Sequence, residues 1–168
     1  IFYHPDIGFM DEALGSGMPS GVGEDTYLFY KVLKAGFTLV YEPAAWVWHK
    51  HRREMAALRR QIYAYSKGHV AYHLTTWLRD GDARALSHVF LLMPPWRMWQ
   101  LVKLVVLAAL GKKHYSLQLL LLEMAGNLMG PWALWQARRR VAKEARRAPR
   151  AYGWRTKARL RGVVHDAS

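Results

Sequence analysis

Two long apolar stretches, residues 87–110 and 115–135, most constrain what this chain can fold into. Each is about as long as the roughly 20 apolar residues that cross a bilayer as a helix. Six residues interrupt them: Pro94, Pro95, Arg97, Lys103, Glu123 and Asn127. A charge at the middle of a bilayer costs roughly 2.5–3.5 kcal/mol. We therefore expect two helices that lie in the membrane interface, with a re-entrant or spanning hairpin and a soluble helical pair as the alternatives.

Basic charge is concentrated after residue 48. Residues 1–48 hold six acids and two bases, whereas residues 49–168 hold 23 bases and six acids, within a chain of net charge +13. Such an excess indicates an anionic partner, either a nucleic acid, an anionic membrane surface or a phosphorylated substrate. Six of the eight tryptophans lie beyond residue 75, and tryptophan mixed with basic charge favours a membrane interface. The lack of cysteine excludes a disulfide scaffold and a thiolate metal site.

Residues 141–168 are predicted to form a basic tail. Residues 138–161 hold eleven bases and one acid, Glu144. Anionic lipid attracts such a segment by about 1 kcal/mol per base near the surface. The alternative partner is the phosphate backbone of RNA or DNA. The third interpretation is a solvated tail without a partner. No RNA-binding strand motif or zinc finger accompanies the charge. We therefore expect an anionic membrane surface as the partner and no nucleic acid.

The first 79 residues read as a mixture of helices and strands. Residues 24–35 are predicted to form a helix that stops at Gly36, with Tyr27 facing outward. Residues 37–41 and 45–48 are β-branched and aromatic runs that predict short strands. Residues 53–78 are predicted to form a long helix whose apolar stripe comprises Leu58, Ile62, Tyr65, His69 and Tyr72.

Glu24 and Asp25 open the first predicted helix behind a glycine-rich loop. Acids in a first turn are favoured by the helix dipole, by about 0.3–1 kcal/mol each. Asp25 also precedes Leu28 and Val32 by three and seven residues, so the spacing places it at the inward edge of the helix. There a carboxylate could accept the proton of a bound hydroxyl. From spacing alone, the dipole interpretation is favoured.

Two further groups carry possible chemistry. Asp11 and Glu12 lie in an acidic, flexible stretch upstream, where solvated acids are the ordinary interpretation. His49 and His51 would share one face of an extended strand and could bind a metal. More commonly, one histidine of such a pair packs at the edge of a sheet and the other faces solvent, and neither binds a metal.

Taken together, these elements resemble the C-terminal half of a family 2 glycosyltransferase. The segments that carry the resemblance occur in the family's order: Gly-Phe-Met-Asp-Glu at 8–12, Leu-Gly-Ser-Gly at 14–17, Gly-Glu-Asp-Thr-Tyr-Leu-Phe at 23–29, Ala-Gly-Phe at 35–37, Tyr-Glu-Pro at 41–43 and Val-Trp-His-Lys-His-Arg-Arg at 47–53. The resemblance covers residues 1–75 well and residues 80–140 more loosely. It implies an α/β fragment, the C-terminal part of a GT-A domain over residues 1–79. A mostly α-helical, membrane-associated region over residues 80–140 would follow.

The resemblance also implies roles for particular residues. Asp25 would be the general base of an inverting sugar transfer, with Glu24 beside it, and Asp11 and Glu12 would lie near the acceptor. His49 would complete a site for a divalent metal, Mn or Mg, whose main ligands belong to a nucleotide-binding half. Asp80 and Asp82 have the letters of the family's Asp-x-Asp motif but follow the base.

The expected function is therefore sugar transfer from a nucleotide-sugar donor to an acceptor hydroxyl, at the cytoplasmic face of a membrane. Ile1, Phe2 and Tyr3 are typical of a strand interior, so we expect the chain to be a C-terminal piece that is inactive alone. A non-enzymatic membrane adaptor and a basic nucleic-acid binder are the alternatives.

Overall fold

The computed structural model of the chain describes residues 7–48, 54–112 and 115–147. Helices contain 74% of these residues, and no strand or sheet occurs among them. Their one β-type pairing is an isolated bridge between Met18 and Gly21. The prediction of an α/β fragment over residues 1–79 is therefore wrong, because the part of the chain that is described is mostly helical.

The described ranges contain a 3-10 turn, five α-helices and a π-helical segment. The turn is Glu12–Leu14, and the α-helices are α1 Glu24–Lys34, α2 Met55–Asp80, α3 Ala83–Ser87, α4 Met93–Ala109 and α5 Leu117–Arg147. The π-helical segment, His88–Leu92, joins α3 to α4. One helix therefore runs without a break from Ala83 to Ala109. The predicted boundary at residue 140 lies inside α5.

Residues 37–48 follow α1 without forming the two predicted strands. Val40, Val47 and Trp48 are more than 80% exposed, and a turn in which Ala45 N–H donates to Glu42 O interrupts the segment. A strand needs a neighbour that pairs its backbone groups, and none of the described residues supplies one. Residues 37–48 therefore have the composition of strands but no sheet to pair with among the described residues.

Helix α1 matches its prediction except for the residues it buries. Its C-terminal stop is confirmed, because Gly36 adopts φ +82°, a value that favours glycine. Tyr27 was predicted to face outward, and this is wrong: only 5% of it is exposed. It packs with Leu14 and Ala71 and donates a 2.8 Å hydrogen bond to Asp80 Oδ2. Phe29, also on α1, is by contrast 39% exposed.

Helices α2 and α5 pack along each other through small side chains. The stripe predicted for α2 is wrong, since Leu58 and Tyr65 are exposed. The residues buried on α2 are Ala57, Ser66, Gly68, Val70, Ala71, Thr75 and Thr76. A Cβ at Gly126 would lie 2.6 Å from Ser66 Cβ, and a Cβ at Gly130 would lie 2.5 Å from Val70 Cβ. Such a small-residue interface, spaced as Gly-x-x-x-Gly on α5, lets two helix backbones approach closely.

The prolines affect the helices in different ways. Pro94 and Pro95 lack the N–H groups that an α-helix would need there, and the chain widens into the π-helical segment just before them, where Met93 N–H donates to His88 O. A proline inside a helix usually kinks or breaks it, but α5 continues through Pro131 as one element.

Three of the four polar residues that interrupted the two apolar stretches, Arg97, Glu123 and Asn127, meet between the helices, whereas Lys103 is exposed. Arg97 donates to Glu123 Oε2 and forms an ion pair with it. Tyr115 donates to Glu123 Oε1 at 2.9 Å. With its amide oriented to satisfy both neighbours, Asn127 donates to Ser66 O and accepts from Arg97 Nε, each at 3.1 Å. These groups therefore satisfy one another instead of facing outward.

Candidate functional site

The N-terminus of α1, the loop before it and the middle of α2 enclose an open cavity of about 500 Å³. Its walls combine carboxylates, hydroxyls and aromatic rings. The lining residues are Ser16, Val22, Gly23, Glu24, Asp25, Thr26, Tyr65, Gly68, His69 and Tyr72. We call this space the α1–α2 cavity. It brings together the Glu-Asp pair that the sequence singled out and three residues of the stripe predicted for α2, Tyr65, His69 and Tyr72.

Close backbone contact with α2 shapes the loop that leads into this cavity. A Cβ at Gly21 would lie 2.4 Å from Ala64 O, and a Cβ at Gly68 would lie 1.8 Å from Val22 O. Gly21 also adopts φ +96°, in the region that favours glycine. Side chains at these two positions would push the loop away from α2, so the glycines fix where α1 begins.

Glu24 and Asp25 occupy different surroundings in the first turn of α1. Glu24 Oε2 accepts a 3.3 Å hydrogen bond from Ser16 N–H, which ties the loop to the helix. Asp25 is exposed, and it has no hydrogen bond or ion pair with any residue that the structure describes. It lies in the first turn of α1, where the helix dipole favours a negative charge. Asp25 therefore presents an uncommitted carboxylate at the rim of the α1–α2 cavity.

Asp11 is committed to local structure. Its Oδ1 accepts from Ala13 N–H at 2.9 Å, which caps the 3-10 turn. Its Oδ2 lies 2.6 Å from Arg79 Nε, and the Asp11 side chain is only 3% exposed. Glu12 starts the same turn and is exposed. Both acids line a separate cavity of about 720 Å³ with Arg79 and Arg138, so the structure does not join them to Asp25 in one cavity.

Asp80 and Asp82 hold the end of α2 against α1. Asp80 accepts from Tyr27 and forms a 3.0 Å ion pair with Lys34. Asp82 forms a 2.7 Å ion pair with Arg84. Burial, and then the hydrogen bond to Asp80, raises the pKa of the Tyr27 hydroxyl far above its ordinary value. Both carboxylates therefore already have cationic partners.

A histidine cluster, comprising His69, His73 and His88, lies where α2 meets the π-helical segment. His69 Nε2 and His88 Nε2 are 3.1 Å apart, and the rings of His73 and His88 stack with centroids 4.2 Å apart. His69 is exposed, whereas the other two are half-buried. His69 also lines the α1–α2 cavity.

The surroundings favour the neutral form of two of these imidazoles. Although His69 as a whole residue is exposed, loss of water around its ring, followed by electrostatic interaction with His88 and Arg97, lowers its pKa below the ordinary value. Burial, followed by the neighbouring His69 and His88, lowers the pKa of His73 to about 3. Neutral imidazole is the form that binds metal ions.

Part of this cluster was predictable from the sequence. His69 and His73 are four residues apart, which places them on one face of a helix. His88 could not be paired with them, because the turn at Gly81 reverses the chain before it arrives. His49 and His51, the histidines that the sequence did single out, lie outside the described residues.

The helix Ala83–Ala109 presents a broad apolar surface. It is long and apolar enough to cross a membrane, yet only 11% of its most apolar window is buried, so it is not a core helix of the described fold. Exposed on it are Phe90, Leu91, Leu92, Trp96, Met98, Trp99, Val102, Val105 and Val106. We call this surface the α4 apolar face. An apolar patch of this kind marks a binding surface for a membrane or a protein.

Comparison with known proteins does not identify a relative: no family model, curated protein or solved structure matches the chain. The α1–α2 cavity, the histidine cluster and the α4 apolar face are the features of the chain that bear on its function.

Proposed function

We propose that this chain carries the acceptor-side base and the membrane-associated helices of an inverting glycosyltransferase. The observation that carries the proposal is the exposed Asp25 carboxylate, free of partners among the described residues, at the rim of the α1–α2 cavity. The resemblance of residues 8–53 to family 2 glycosyltransferases supports the same role for Asp25.

The proposed chemistry needs a base at this position. The acceptor hydroxyl oxygen forms a bond to the anomeric carbon of a nucleotide sugar, the bond from that carbon to the donor's phosphate oxygen breaks, and Asp25 takes the hydroxyl proton. The hydroxyls and ring faces of Tyr65 and Tyr72 would orient the acceptor in the cavity. Glu24 would hold the loop through Ser16 N–H.

The described residues do not form a site for the divalent metal that the resemblance implies. Mn and Mg prefer several oxygen ligands, and the candidates Asp80 and Asp82 are already paired with Lys34 and Arg84. Asp11 is paired with Arg79. No step is therefore assigned here to a metal, and the nucleotide of the donor is assigned no pocket on this chain.

We further propose that the transfer takes place at the cytoplasmic face of a membrane. Two features support the membrane part of this location: the α4 apolar face, and the internal pairing of Arg97 with Glu123, which removes two charges from the outward surface of the helices. Stacked tryptophans at each helix, Trp96 with Trp99 and Trp132 with Trp135, suit the headgroup region.

The test compares two carboxylate variants in the full-length natural protein. Asp25→Asn keeps the size of the side chain and removes the base, so turnover should fall by about 10²–10⁴-fold while donor binding stays near normal. Glu144→Gln, which alters a surface carboxylate paired only with Arg140 among the described residues, is the matched control. Near-normal turnover of Asp25→Asn would exclude the proposed base.

A membrane-surface adaptor without enzymatic activity is the second candidate, and the α4 apolar face favours it. Vesicle binding that persists in a protein whose turnover never exceeds background would support it. Salt-sensitive binding to oligonucleotides in the absence of vesicle binding would exclude both membrane functions and support a nucleic-acid partner.

A further inference from the structure

We propose that His69, His73 and His88 form a three-histidine site for a zinc-class divalent cation. The inference does not depend on the proposed sugar transfer, because it uses residues to which that function assigns no role. One imidazole nitrogen from each side chain takes part, and these atoms lie within 4.8 Å of one another.

The spacing of the nitrogens approaches what one metal ion imposes. Zinc–nitrogen bonds are about 2.0–2.1 Å long, so two nitrogens on a tetrahedral ion lie roughly 3.3 Å apart. His69 Nε2 and His88 Nε2 are already 3.1 Å apart. The wider separations in the cluster close by rotation of the imidazole rings, whose terminal torsions are broad.

The backbone holds the three ligands on two rigid elements. His69 and His73 are one helical turn apart on α2. His88 opens the π-helical segment. Val89 of this segment and Met93, the first residue of α4, pack against Val70 of α2. These apolar contacts fix the distance between the two elements from beside the cluster. The site is therefore anchored by the core and most exposed at its His69 edge.

The donor set selects the class of cation. Three imidazoles suit zinc, copper, nickel or iron and give calcium and magnesium none of the oxygen ligands they require. Three protein ligands also leave a fourth tetrahedral position for water, the arrangement of an open zinc site. Because His69 also lines the α1–α2 cavity, that open position lies beside the cavity wall.

The experiment titrates the purified chain with Zn²⁺ alone and measures heat of binding and thermal unfolding. We expect one ion per chain in the cluster and a rise in Tm with added Zn²⁺, since an ion that binds the folded state stabilises it. His69→Gln and His73→Gln should each weaken binding by about 100-fold or more, as loss of a ligand exceeds the 10–100-fold effect of losing a supporting residue. Both variants should remove the rise in Tm.

The matched control is the double variant His49→Gln/His51→Gln, which changes the other histidine pair and should leave the cluster's affinity unchanged. Circular dichroism of each metal-free variant shows whether its helices form. If His73→Gln does not fold, the test uses His69→Gln, which lies at the exposed edge. Two results would overturn the proposal. One is the absence of Zn²⁺ binding at micromolar concentrations, which would mean that His69 and His88 only form a hydrogen bond with each other. The other is binding that survives in folded His69→Gln but is lost in the His49/His51 double variant.

Discussion

Gly68→Ala should move the loop that carries the proposed base. A Cβ at Gly68 would lie 1.8 Å from Val22 O, 2.7 Å from Val22 C and 3.0 Å from Val22 N, all of them backbone atoms. Because carbon and carbonyl oxygen normally keep about 3.3–3.6 Å apart, the loop must retreat by roughly 1.5 Å. No flexible side chain is available to absorb the change.

The expected loss of stability follows from two opposing terms. Overpacking costs about 1–3 kcal/mol, and a backbone obstacle places this site at the upper end of that range. Alanine gains about 0.8–1.0 kcal/mol over glycine inside a helix. The net loss is then roughly 2 kcal/mol, which lowers Tm by about 4–8 °C in a chain of this size.

The assay combines thermal unfolding with hydrogen exchange read by mass spectrometry. Residues 16–27 hold short backbone hydrogen bonds, such as Gly21 N to Met18 O at 2.9 Å, and their exchange should speed up in Gly68→Ala. In an active protein, a loop displaced by more than 1 Å should also lower turnover by about 10²-fold.

Gly36→Ala is the control for this experiment. None of the described residues lies within 4 Å of a Cβ at Gly36, so the penalty expected there is the strained φ of +82°. That penalty is about 1–2 kcal/mol and should leave exchange in residues 16–27 unchanged. An unchanged or raised Tm of Gly68→Ala, with unaltered exchange in the loop, would refute the close contact between α2 and this loop.

Three further predictions concern the helices. Glu123→Leu removes the ion-pair partner of Arg97 and should lower the free energy of unfolding by about 3–5 kcal/mol. The double variant Arg97→Met/Glu123→Leu should recover most of that stability in a thermal scan. Equal losses of stability in the two variants would contradict the pairing. Tyr27→Phe removes the hydrogen bond to Asp80 and should lower the free energy of unfolding, measured by denaturant titration, by about 1.5–3 kcal/mol. A smaller effect would argue against this buried hydrogen bond. Flotation with vesicles should increase with anionic lipid content, and binding that ignores lipid charge would contradict the electrostatic part of the membrane proposal.

Local signals predicted where helices lie better than which residues they bury. Helix α1 followed from its apolar spacing and the glycine after it. The burial of Tyr27 did not follow, because its partner Asp80 lies 53 positions along the chain. On α2 the large residues suggested a stripe, yet Ser66 and Gly68 are buried since α5 and the loop approach too closely for anything larger.

The strand predictions failed for a different physical reason. Residues 37–48 have the composition of strands, but a strand is defined by its neighbours, and a pattern read along one segment contains no information about them. The candidate site was predictable to the same partial degree. Glu24 and Asp25 were found because they are adjacent in the sequence, whereas the histidine cluster joins α2 to a residue beyond a turn.

Helix α2 connects the features on which both proposals rest. One side of it walls the α1–α2 cavity through Tyr65, Gly68 and His69. Another side receives the helix Ala83–Ala109, whose Val89 and Met93 contact Val70. A membrane that bound the α4 apolar face would therefore also hold α2, and through α2 it would hold the cavity and Asp25 at a fixed position relative to that surface.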